Sequence, residues 1–323
     1  MLGYHVRVRE LAVSGLRSLA WAGDDLVDWI GGQRITLAGV VTKFGTGAYE
    51  RFDAAVGIGN VGVAFETLGT KGLIVQMDDG LHHVREIDRS FYHAGDYAYP
   101  VCAFALPGGT GAIAHCPKSY DTLELETVEG RPLTQRETAS ADVFHSRLSA
   151  SHDGRWLLSN GWVWQPWNIA CVYDVARALV DPAHLAGVGI SLDLGAFEAE
   201  VDAATLSGDR VIVSASAEQP MLSVIELPSG KNLHCIALAD YLGTRIIAWG
   251  PDHIVALDDE PRVVALADGA VIERWPVATG SWHQPSVNLQ PPKPPYVAID
   301  PRGPRFAVAD GERIVVIGDG FNS

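Results

Sequence analysis

Residues 17–35, RSLAWAGDDLVDWIGGQRI, align without a gap on residues 245–263, RIIAWGPDHIVALDDEPRV. Arg17 meets Arg245, Ala20-Trp21 meet Ala248-Trp249, Asp24 meets Asp252, Val27 meets Val255, and Arg34 meets Arg262. Each copy reads as strand, tight turn, strand, short loop, strand, because short Val, Ile and Leu runs are bounded by Gly, Asp or Asn. A unit of this size cannot bury its own apolar faces, so it must stack on its copies.

The same grammar recurs along the chain. AVGIGNVGVAFETLGTKGLIVQMDDGLHHVREI (55–87) and VCAFALPGGTGAIAHCPKSYDTLELETVEGRPLTQ (101–135) each read as four strands. So does DAATLSGDRVIVSASAEQPMLSVIELPSGKNLHCI (202–236), while YVAIDPRGPRFAVADGERIVVIGDG (296–320) has only three. The turns between third and fourth strands fall near Gly39, Gly80, Gly130, Arg177, Gly230, Gly269 and Gly320. Four strands per unit at a period of roughly 40 to 50 residues predict an all-β fold, a seven-bladed β-propeller. Two stacked sandwiches need no such period. The spare N-terminal strand HVRVREL (5–11) is expected to pair with the last blade (296–320), closing the ring and removing an open sheet edge. One propeller domain then spans residues 1–323.

The clearest copy is SASHDGRWLLSNGWVWQPWNIACVYDV (149–175). It resembles the S-x-D-G-x-x-L-x-S … V-W-D pattern of the WD40/YVTN family, with Asp153-Gly154 at the turn, Leu157, Leu158 and Ser159 in the second strand, and Tyr173-Asp174 in place of Trp-Asp. The resemblance covers the whole chain in rhythm and one blade in motif, and the family's Gly-His dipeptide is absent. After this fourth blade comes ARALVDPAHLAGVG (176–189), a short helical insert expected to start at Asp181-Pro182, with Asp as cap and Pro at the first helical position. HQPSVNLQPPKPPYV (283–297) reads as an extended inter-blade loop.

Composition excludes several classes. The chain has 323 residues, 47% of them hydrophobic and 20% charged, enough for a large core. Its net charge of −15 disfavours nucleic acid and anionic membrane as partners. No apolar run is long enough to span a bilayer. MLGYHVRVRE lacks the apolar stretch of a signal peptide, so a cytoplasmic protein is expected. Cys102, Cys116, Cys171 and Cys235 are widely spaced, which fits reduced thiols better than zinc or a disulfide framework. There is no G-x-S-x-G elbow, and the glycines of GTGAYERFDAAVGIGNVG lack the Gly-Lys-Ser/Thr of a phosphate loop.

The resemblance implies that inter-blade loops and second-to-third loops share one face. That face collects Tyr97, His115, Arg147, Trp282 and the three tryptophans of SNGWVWQPWN, Trp162, Trp164 and Trp167; these seven are the candidate binding residues. Longer irregular loops carry recognition more often than the tight turns opposite. Alternation places Trp162 and Trp164 on one side, either plugging the gap between blades or exposed to a partner. Trp21, Trp249 and Trp156 are expected in blade packing.

His93, His145 and His283 each precede the first strand of a blade and are the weak catalytic candidates. Three imidazoles would suffice for a divalent metal such as zinc. No HxH-type spacing supports one, so each is expected to hydrogen-bond a neighbouring loop backbone, and no metal or cofactor is assigned. The sequence thus favours a non-catalytic binding or scaffold propeller that takes a protein or peptide, or a small ligand. The alternative is a propeller lyase, hydrolase or isomerase using those histidines, by analogy alone.

Overall fold

Within each repeat the first apolar run pairs with the second and the second with the third, always antiparallel. The structure, a computed structural model, describes residues 6–45, 51–135, 142–164, 167–195, 199–216, 218–280 and 295–318. Blade one contains Ala20–Ala22, Asp25–Asp28, Gln33–Ile35 and Val41–Lys43. Its inner strands are buried and its outermost strand is exposed, which follows from having neighbours on both faces only near the axis. Blade two contains Ala54–Ile58, Val61–Phe65, Lys71–Met77 and Leu81–Asp88. Blade five contains Glu200–Leu206, Arg210–Ser216, Pro220–Glu226 and Asn232–Ala237. Blade six contains Ile246–Ala248, His253–Ala256, Arg262–Ala265 and Val271–Arg274.

Blade seven supplies only Tyr296–Ile299, Arg305–Ala309 and Arg313–Gly318. Its fourth strand is Arg7–Ala12, in register from Arg7 opposite Gly318 to Ala12 opposite Arg313. The N-terminal strand therefore closes the last blade, and an edge that would template aggregation is removed.

Two blades depart from the four-strand expectation. Blade three has Val101–Ala105, Gly111–His115 and Glu124–Thr127, and its fourth strand shrinks to a single bridge between Glu126 and Pro132. Pro132 has no N–H to extend the ladder. In blade four an α-helix, Val175–Val180, follows the third strand directly. Asp174 caps it, and Val175 and Ala178 bury its inner face. The helical insert thus begins before the expected Asp181-Pro182 start. That pair instead opens a 3-10 turn, Pro182–Leu185, where Asp181 Oδ1 accepts from Ala183 N at 3.0 Å.

Seven apolar clusters hold the ring together, each formed between one blade and the next. Leu26 and Ile35 of blade one meet Val316 of blade seven, Val27 meets Leu73 of blade two, and Ile74 meets Ile113 of blade three. Leu125 meets Leu157 of blade four, Leu158 meets Val213 of blade five, Ile212 meets Ile254 of blade six, and Val263 meets Phe306 of blade seven. Each such side chain contributes about 1.5–3 kcal/mol on burial, so every blade depends on both neighbours. Trp21, Trp156 and Trp249 lie in these clusters, as their place in the repeat predicts. The glycines of GIGNVG have a packing role: a Cβ on Gly62 would stand 2.3 Å from the Trp29 ring, and one on Gly57 2.6 Å. Among the described residues no helix is long and apolar enough to cross a membrane.

Candidate aromatic binding surface

The second and third strands of blade four run further than those of other blades. Trp156–Val163 pairs with Trp167–Asp174 all the way out to Val163 opposite Trp167. The described residues of SNGWVWQPWN therefore lie at the end of a paired hairpin. Residues 165 and 166 lie outside the described residues. The base is fixed at the Asp153-Gly154 turn, where Ser151 Oγ donates to Asp153 Oδ1 at 2.6 Å and Trp156 N donates to Ser151 Oγ at 2.9 Å.

The innermost strand of this blade is broken to follow the hairpin. Val143–Phe144 pairs with its far end, Phe144 opposite Trp162, and Leu148–Ala150 pairs with its near end. Between them, Ser159 Oγ receives Ser146 N at 3.3 Å and contacts His145 Nδ1 at 3.2 Å. Gly161 permits the close approach, since a Cβ there would stand 2.3 Å from the Phe144 carbonyl oxygen.

Phe144 is thereby carried into the centre of an aromatic stack. Its ring lies 4.0 Å from that of Trp162, at 7° between planes, and 4.2 Å from that of Tyr120 on the other side. Tyr97 meets Phe144 edge-on at 5.5 Å. Phe144, Trp162 and Tyr97 are buried. Over them stand Tyr92, 47% exposed, and Trp164, 42% exposed. The Tyr92 ring lies 5.0 Å from Tyr120, and the Trp164 ring is perpendicular to Phe144 at 5.3 Å. His93 bridges them, 4.6 Å from Tyr92 and 5.1 Å from Trp164. Rings from the loop after blade two, the second-to-third loop of blade three and the blade-four hairpin thus share one face.

The loop bearing Tyr92 and His93 is anchored from beneath. Arg89 is buried and donates to the carbonyls of Gly69 and Ala94, both at 2.6 Å, of Tyr97 at 3.2 Å and of Thr67 at 3.4 Å. Its guanidinium lies over the Tyr97 and Tyr99 rings. Burial pushes the Tyr97 phenol up to about 12, although Arg89 opposes the shift. His93 has φ of 52° and its Nδ1 lies 2.6 Å from Asp96 Oδ2. Tyr120 Oη donates to Asp142 Oδ1 at 2.5 Å, and burial followed by that bond raises its pKa. Carboxylates therefore border the rings.

The remaining candidates lie apart. Trp167 is 37% exposed at the start of its strand. His115 is buried between blades two and three, its Nε2 2.7 Å from Glu126 Oε1, which Arg85 also contacts. Burial alone would raise Glu126, but the His115 hydrogen bond and charge, with Arg85, hold it below the usual carboxylate range. His145 is buried inside the strand break. His93 Nδ1 lies against the Asp96 carboxylate and His145 Nδ1 against the Ser159 hydroxyl. Trp282 and His283 lie outside the described residues. Among the described residues no three His, Cys, Asp or Glu side chains are placed to hold a metal ion.

Arg147 sits in the strand break with φ of 46°, and its guanidinium donates to Asn160 O and to Thr244 O of the loop before blade six, both at 3.3 Å. There the structure adds residues that the sequence reading did not single out. Asp202 is the extra residue of a β-bulge in the innermost strand of blade five, where Val201 pairs with Ala215 and Ala203 with Ser214. Bulges re-aim side chains in this way. Burial raises Asp202 to about 6, even though Ser216 Oγ donates to it at 2.7 Å. Tyr241 is pushed up to about 12, first by burial and then by the charges of Asp202 and Asp258, with Arg147 opposing.

No protein-family model matches the sequence, and no curated protein matches it. Among solved structures, a chain of "Crystal Structure of Mitotic Checkpoint Complex" superposes with a TM-score of 0.59 at 13% identity, over 98% of this chain and 94% of that one. At that identity the likeness shows the fold alone, a seven-bladed β-propeller.

Proposed function

We propose that this propeller is a binding module whose aromatic surface docks a protein or peptide partner. The observation that supports it is the pairing of exposed Tyr92 and Trp164 with a buried stack, Trp162–Phe144–Tyr120, that holds them in place. Rigid aromatic rings give large contact area at small entropic cost, which is why Tyr and Trp dominate hot spots. A solitary exposed ring is ordinary, but a continuous set fed by three loops is a candidate interface.

The border chooses the partner's chemistry. Asp96 and Asp142 flank the rings, and the chain carries −15 overall. A partner presenting Lys or Arg beside an apolar residue gains both cation–π and charge complementarity. The superposed chain comes from a complex, which supports a macromolecular partner in general.

The test is isothermal titration of the purified partner against the wild-type chain and the Tyr92→Ala and Trp164→Ala variants. Either truncation is expected to weaken binding at least about tenfold, in the hot-spot range, with circular dichroism unchanged. Equal affinity in both variants would remove the aromatic surface from the interface.

A further inference from the structure

Arg89 fixes the loop that carries His93. Its guanidinium is buried and donates to the carbonyls of Ala94 and Tyr97, one on each side of Asp96. Within that frame Asp96 N donates to His93 O at 2.9 Å, a turn that brings the two side chains together. His93 adopts φ of 52° to make it, a conformation that is uncommon outside glycine and that concentrates at functional sites.

The turn sets His93 Nδ1 2.6 Å from Asp96 Oδ2. An ionised carboxylate can only accept, so Nδ1 carries the hydrogen and, in the neutral ring, Nε2 carries the lone pair. Nε2 makes no hydrogen bond among the described residues, and the His93 side chain is 35% exposed, so the lone pair is reachable. The ring centroids of Tyr92, His93 and Trp164 form a triangle with sides of 4.6, 5.1 and 6.3 Å. A side chain packed on the exposed Tyr92 and Trp164 rings therefore comes beside His93.

We propose that His93 is the hydrogen-bond acceptor of the aromatic surface: Nε2 takes an N–H from a Lys or Arg side chain of the partner, and protonation of His93 releases that side chain. The inference rests on the docking role proposed above and adds to it a required donor and a dependence on pH. A quaternary ammonium keeps the attraction to the rings but has no hydrogen to give. The site therefore separates lysine from trimethyllysine, because charge-assisted bonds are the strong ones. A proton on Nε2 turns the acceptor into a donor and puts a positive charge beside the bound cation. The contact is thus present in the neutral ring and lost as pH falls through the range in which histidines ionise. Asp96 and the Tyr92 phenol face the ring from its own loop, while blade four presents Trp164 and Phe144, which do not titrate. Tyr120, bonded to Asp142, lies behind Tyr92.

The test titrates the isotope-labelled full chain with acetyl-Phe-Lys-Phe-amide and with its trimethyllysine counterpart, following the Trp164 indole signal by NMR at about pH 8 and about pH 5.5. At the higher pH wild type is expected to bind the lysine peptide about tenfold more tightly than the trimethyllysine peptide. It is expected to bind the lysine peptide about tenfold more weakly at the lower pH, the scale of a lost charge-assisted hydrogen bond. His93→Asn keeps a residue tolerant of positive φ and does not titrate, so both differences should vanish. The nitrogen resonances of the His93 ring give a readout that needs neither variant nor peptide: the neutral ring should carry hydrogen on Nδ1 and none on Nε2. If wild type binds the two peptides equally and Tyr92→Ala loses both, the aromatic surface stands and the role of His93 is overturned. Failure to bind either peptide, or hydrogen on Nε2 in the neutral ring, also overturns it, and the aromatic surface is then judged by the Tyr92→Ala and Trp164→Ala titrations alone.

Discussion

Phe144 stacks on Trp162 with ring centroids 4.0 Å apart and planes 7° from parallel. Phe144 is fully buried although it belongs to a two-residue strand at the rim, so the stack is a small core in its own right. Truncation, Phe144→Ala, is expected to destabilise the protein by about 3–5 kcal/mol, the usual cost of emptying an aromatic site. Chemical denaturation followed by tryptophan fluorescence measures it. A cost under about 1 kcal/mol would mean that the stack is not cooperative with the blade.

Gly161 lies beneath the same strand. A Cβ there would stand 2.3 Å from the Phe144 carbonyl oxygen, and a backbone atom cannot yield as a flexible side chain can. Gly161→Ala is expected to cost about 1–3 kcal/mol, as overpacking does, and to release Val143–Phe144 from the hairpin. Hydrogen exchange at the amides of that strand should accelerate while exchange in blade one stays slow.

Asp202 links the channel mouth to pH. Its folded pKa, about 6, lies above the value of about 3.9 for an unfolded Asp. The folded state therefore binds its proton more tightly. The stability this contributes is complete below about pH 4 and is lost as pH rises through about 6. In Asp202→Asn that loss is expected to vanish, so the stabilities of variant and wild type should diverge between pH 4 and 6, the variant becoming relatively more stable. Parallel curves would show that Asp202 titrates normally.

The thiols divide by burial. Cys102, Cys116 and Cys171 are buried, and burial pushes Cys102 and Cys171 up to about 12. Cys235 is half-buried beside Ser223. Native protein is expected to react with a thiol reagent at Cys235 first, and at the other three only on unfolding. Fast labelling of Cys102 or Cys171 in native protein would contradict the packing between blades.

The ring was legible in the sequence because its repeats are local. Short apolar runs, Gly-centred turns and the spare strand at Arg7–Ala12 are patterns along the chain, and the pairings they imply are present except for the fourth strands of blades three and four. The helix Val175–Val180 was hidden because its cap, Asp174, doubles as the last residue of a strand. Tyr97, Trp162 and Trp164 were legible as one group of rings. Which of them are exposed was not, since the answer depends on Phe144 arriving from a strand break that only Gly161 permits. His115 reads like Tyr97 in sequence, yet its burial follows from Glu126 and Arg85 on neighbouring strands.

Tyr92 and Trp164 are proposed to contact a partner directly. The most direct measurement places a photo-crosslinking phenylalanine analogue at Tyr92, and separately at Arg177 of the blade-four helix as a control, in the native host. One discrete adduct is expected from position 92, with a basic segment of the partner at the crosslink, absent from position 177 and lost when Trp164→Ala is added. Equal crosslinking from both positions, or none from position 92 under conditions where the chain is folded, would contradict it.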